Sequence, residues 1–145
     1  MLIASGIIVF VAAAAFLAIA AAAFVRPAWV RRFFGAFASS ALTHLLEQAL
    51  RLIFGLALVV YAPAMWRPII FWSLGWLIVV TAVVLFCTPW RWHRRFARAV
   101  MPTVHRHVRL FGLAVAGFAA LLLVGLLAGP GPGSSGQEAM QNAAP

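Results

Sequence analysis

LIASGIIVFVAAAAFLAIAAAAFV, residues 2–25, runs to its end without a single charged side chain. Roughly 20 apolar residues are enough for a helix to cross a bilayer core, so this stretch alone spells a membrane span. Three further stretches share its character, at about 45–66, 69–87 and 110–128. Lipid offers no partner for a backbone amide, so each segment has to satisfy its own hydrogen bonds as a helix. The short alternating segments of a membrane barrel are absent. With 66% hydrophobic and 9% charged residues and a mean hydropathy of +1.05, the chain lacks the polar surface a soluble domain needs.

The expected fold is therefore all-α: a polytopic integral membrane protein with four transmembrane helices in one domain over residues 1–128. Residues 129–145 are rich in Gly, Pro, Ser, Ala and Gln. They cannot bury enough apolar surface to offset their ordering entropy, and a disordered external tail is expected. The alanines at 20–23 resemble a leader cleavage site. A secretion signal carries positive charge ahead of its apolar core, whereas only Met1 precedes this one, so a retained helix is expected.

Charge sets the expected orientation. Arg26, Arg31 and Arg32 fall between the first two spans, and Arg91, Arg94, Arg95, Arg98, Arg106 and Arg109 between the last two. The other side holds Arg67. The positive-inside rule then places both basic loops in the cytoplasm and both termini outside. The expected location is a bacterial cytoplasmic (inner) membrane, crossed several times.

The two basic connections have helical character of their own. In residues 27–40, Trp29, Phe33 and Phe37 recur every four positions, which suits a short helix in the headgroup layer, with Ser39 and Ser40 as caps for the second span. In the second basic connection, Arg91, Arg94, Arg95 and Arg98 fall at i, i+3, i+4 and i+7, on one face. Pro89, His93, Phe96 and Val100 share the other. Thr88 is the expected N-cap with Pro89 in the first turn, Pro102 the expected stop, and Thr103 the cap of the fourth span. This arginine face is read as a docking surface for anionic lipid or for a partner protein. Topology already explains the net charge of +9, so nucleic acid is not an expected partner.

Between spans two and three, Pro63, Trp66, Arg67 and Pro68 make a tight turn that forces these helices to pack as antiparallel neighbours. Gly55 and Gly75, and on the fourth span Gly112 with Ala116 and Gly125 with Gly129, offer close helix approach.

One polar cluster interrupts the apolar spans. His44, Glu47, Gln48 and Arg51 share a helix face at i, i+3, i+4 and i+7. Ionisable groups inside a span are functional candidates because burying their charge is expensive. The sharp reading is a proton, cation or anion site; the plain one is a Glu–Arg pair that neutralises itself and fixes packing. Depth decides between them. Counted back from Trp66, Glu47 falls in the headgroup layer with Arg51 one turn deeper; if the span ends at Tyr61, Arg51 lies near mid-membrane.

The function classes thin out from there. Cys87 is the one cysteine, which excludes dithiol exchange and an internal disulfide. Asp is missing and the two acids are Glu47 and Glu138, too few for two-metal or di-iron chemistry. His44, His93, His105 and His107 match no zinc spacing, and no metal or cofactor is expected. The expected function is a small non-enzymatic tetraspan accessory or assembly subunit of a larger membrane complex. Its expected partners are the bilayer, with its anionic lipids, and another membrane protein or a second copy of itself. The alternative is a small homo-oligomeric transporter or channel built on the His44/Glu47/Gln48/Arg51 face.

Overall fold

The computed structural model describes residues 1–37 and 40–129, with the side chains at 36, 37, 90, 93, 94, 97, 98 and 105 outside that description. All regular structure among the described residues is helical. Four helices are long and apolar enough to cross a membrane: α1 (Leu2–Val25), α3 (Ala41–Tyr61), α4 (Pro68–Cys87) and α6 (Val108–Leu127). Between them lie α2 (Pro27–Phe37) and α5 (Trp90–Arg106), one in each basic connection. The tail expected beyond Gly129 lies outside the described residues.

Local chemistry fixes the ends. At the start of α3, Ser40 Oγ accepts from Thr43 N and Thr43 Oγ1 accepts from Ser40 N, both at 3.2 Å. This reciprocal cap gives Ser40 the role expected of it, with Ser39 outside the described residues, and starts the helix four residues before the hydropathy boundary. Its far end is Tyr61, the earlier of the two ends weighed from sequence, because Pro63 tightens the chain into a single 3-10 turn over Ala62–Ala64. Gly129 follows α6 with φ +63°, the left-handed position that favours glycine after a helix.

The α5 expectations need correction. Pro89 precedes the helix as its cap residue, while Thr88 Oγ1 donates to Val84 O at 2.7 Å and so finishes α4. Pro102 does not stop α5, which continues to Arg106 with the proline inside it. Nor does Thr103 cap the fourth span: its carbonyl accepts from His107 N at 3.0 Å, within the last turn of α5. Proline forbids one intrahelical bond but not helical φ, so a helix end it was expected to impose is only weakened.

The four long helices form two tight antiparallel pairs, α1 with α6 and α3 with α4, joined chiefly across α1 and α3. Small residues make the pairs close. A Cβ on Gly75 would stand 2.9 Å from Val59 N and 3.0 Å from Gly55 O, so here backbone lies on backbone. Likewise, a Cβ on Gly112 would stand 2.7 Å from Ala23 Cβ.

The two ends of the bundle differ. Around the tight turn, Leu58, Met65, Phe71 and Leu122 are fully buried with Val9 and Ala13. Gly125 takes the ring of Phe71 against its own backbone, and its carbonyl accepts from Trp66 N at 3.2 Å. Beneath this plug, Phe16, Phe54 and Phe118 meet edge to face, with centroids 5.8, 5.4 and 6.4 Å apart. At the basic end the described core is small, with Ala23, Val30 and Val108 packed with Phe34. Here α2 is more than a surface helix: Val30 is buried, and Phe34 meets Phe111 of α6 at 5.1 Å.

Gly75→Val should therefore pry α3 from α4 and destabilise the bundle by about 1–3 kcal/mol, the usual cost of overpacking. Gly117→Val, at a position with nothing within 4 Å of its Cβ, should change little. Thermal melts of the two variants in mild detergent check this, and equal melting temperatures would contradict the packing described.

Candidate functional site

The polar residues of α3 belong to one stripe: His44, Gln48, Arg51, Gly55, Leu58 and Ala62 follow at steps of four, three, four, three and four. Such a spacing keeps one face of a helix. Five of the six are buried. Arg51 is the exception, with its side chain 45% exposed. The stripe faces the bundle, because Gly55 packs against Gly75, Ile78 and Val79 of α4 while Leu58 joins Val9, Ala13 and Leu122 in the core. Arg51 thus lies on the inward face of α3, yet its side chain stays exposed.

His44 is held at the basic end of the stripe. Its Nε2 lies 3.2 Å from Leu85 O; a carbonyl can only accept, so Nε2 carries the proton. Gln48 follows one turn later and is 1% exposed. The antiparallel register, with His44 at Leu85 and Gly55 at Gly75 and Val79, sets it level with Ala82, itself 2% exposed. Neither Oε1 nor Nε2 of Gln48 has a hydrogen-bond partner among the described residues. Leaving a buried amide unsatisfied costs about 1–3 kcal/mol.

Glu47 approaches Arg51 from one turn back. Arg51 Nη2 donates to Glu47 Oε1 at 2.5 Å, which draws the guanidinium back toward the basic end. The same register sets Arg51 level with Val79, eight residues short of Cys87 on a helix without charge, or about 12 Å in from that end at the α-helical rise. α3 closes at Tyr61, ten residues beyond Arg51.

The α5 arginines are arranged differently. Arg91 and Arg95 are exposed, and with Trp92, Phe96 and Ala99 they line a shallow groove of about 510 Å³. Arg94 and Arg98, the other two residues of the expected docking face, have side chains outside the description. Trp92 is 75% and Phe96 66% exposed, so the apolar side of α5 is not folded onto the bundle. A second groove, of about 240 Å³, runs along Ala18, Ile19 and Ala22 to Arg26 and Trp29. No group of three His, Cys or Glu side chains comes together among the described residues.

Sequence reasoning placed His44, Glu47, Gln48 and Arg51 on one helix face. It did not separate the buried His44 and Gln48 from the exposed Arg51. The step pattern 44–48–51–55–58–62 was the available signal, since it joins Arg51 to the glycine and leucine that pack.

No family model matches the chain, no curated protein matches it, and no solved structure matches it.

Gln48→Leu, close in size and free of unsatisfied polar atoms, should leave the melting temperature unchanged or raise it. His44→Ala loses the link to Leu85 and should cost about 1–3 kcal/mol. A marked fall for Gln48→Leu would show that the amide is satisfied in the folded protein.

Proposed function

We propose that this chain is a non-enzymatic tetraspan accessory or assembly subunit of a larger membrane complex. The observation that carries this reading is α5. Its exposed Trp92 and Phe96 beside Arg91 and Arg95 combine apolar anchors with guanidinium forks, the residue types favoured at interface centres. The groove they line suits a protein partner at the membrane surface or an anionic headgroup. The apolar plug of Leu58, Met65, Phe71 and Leu122 supports the same reading, since a single copy has no polar route past it.

Under the positive-inside rule both basic connections lie in the cytoplasm, with both termini outside, in a bacterial inner membrane. A second reading, a small homo-oligomeric transporter, is favoured by one observation: Arg51 is exposed on a stripe that is otherwise buried. In that case the path across the membrane has to form between copies.

The test is gentle purification of the tagged full-length chain followed by mass spectrometry of what remains bound. A larger membrane protein should co-purify in fixed ratio, and Trp92→Ala with Phe96→Ala should release it while the four spans stay folded. A pure homo-oligomer that moves a solute in liposomes would overturn the subunit reading in favour of transport.

A further inference from the structure

We infer that the cleft on the inward stripe of α3 is a binding site for an oxyanion of the phosphate type, with Arg51 as its principal ligand and Glu47 as a built-in competitor. A site that holds an oxyanion need not move one, so the assignment stands apart from both readings of function.

Three independent observations converge on it. First, Arg51 is the one exposed member of an otherwise buried, inward-facing stripe. Second, a guanidinium carries five donors in a planar fork, and a single contact, to Glu47, is made. The remaining donors of Arg51 are unused, in surroundings where charge–charge attraction is strong. Third, the amide of Gln48, one turn away on the same stripe, is buried with both polar atoms unpartnered. An amide that can donate and accept beside an unsaturated fork is what a tetrahedral oxyanion with a remaining proton requires.

Charge favours this class of ligand over a cation. Glu47 is the one carboxylate side chain among the described residues, and Arg51 already neutralises it. Arg26, Arg91, Arg95, Arg106 and Arg109 are all exposed around the mouth at the same end, giving a field that gathers anions and repels cations. An anion entering the cleft meets a guanidinium with one edge taken by Glu47. Binding therefore competes with the ion pair and is weaker than the fork alone would give.

The full chain in phosphatidylcholine nanodiscs tests this. Inorganic phosphate is titrated against chloride at constant ionic strength, which holds screening fixed, with melting temperature and equilibrium binding as readouts. A second arm adds phosphatidylglycerol to the discs in place of free phosphate. Stabilisation by inorganic phosphate that vanishes in Arg51→Gln assigns a free anion; stabilisation by phosphatidylglycerol alone, with the same dependence, assigns a lipid headgroup. Arg51→Lys should bind more weakly than the native chain, because it keeps the charge and loses the fork. Glu47→Gln should tighten binding by about fivefold, the worth of an ion pair of this kind, and Gln48→Leu should weaken it. Those two variants carry the test if Arg51→Gln does not fold. No stabilisation by either anion, stabilisation that survives Arg51→Gln, or unchanged affinity in Glu47→Gln would overturn the assignment.

Discussion

Between helices in lipid there is no water to expel, so closeness of packing has to do what hydrophobic burial does elsewhere. In this chain that closeness is concentrated where Gly55 and Gly75 let α3 lie backbone to backbone on α4. The contact sets the register of the pair, and the register sets the rest. It brings His44 to the last turn of α4, sets Gln48 level with Ala82, and turns Arg51 to the inward side. A larger residue at either glycine would change the environment of every polar group on α3.

The two ends of the bundle then acquire different characters from the same four helices. At the tight turn, large side chains fill the centre and the Trp66–Gly125 hydrogen bond ties the end of α6 to the turn. Toward the basic end the stripe changes from Leu58 and Gly55 to Arg51, Gln48 and His44. A charge can persist there because Arg51 is paired with Glu47. The arginines of the two basic connections sit around the same end, which gathers positive charge there.

Much of this was legible from residues alone. Twenty or so uncharged positions define a span whatever surrounds them, and three of the four spans were placed within two residues at each end. For α3 hydropathy alone gave bounds of about 45–66, because it reads apolar content and not hydrogen bonds; the Ser40 cap expected from its residue type starts the helix inside a polar stretch, and Pro63 ends it at Tyr61, the earlier of the two ends weighed. At α5 the rules for caps and breakers were applied to residues whose side chains had nearer uses. Thr88 bonds back into α4, and Pro102 is accommodated within the helix. The membership of the polar cluster could be read from its spacing. The split into sealed and open members could not, since it depends on which neighbour lies opposite each turn, and that is a property of the packed pair.

The claim on which this account turns is that the Arg51 position opens into a water-accessible cleft inside the bundle, while its neighbours Leu50 and Ile53, 61% and 53% exposed, face lipid. Single-cysteine variants Leu50→Cys, Arg51→Cys and Ile53→Cys, each in a Cys87→Ser background, can be treated in membranes with a membrane-impermeant thiol reagent. Position 51 should react from the side bearing the basic connections, with 50 and 53 silent. Equal silence at all three positions, or reaction at 50 and 53 as fast as at 51, would contradict the inward cleft.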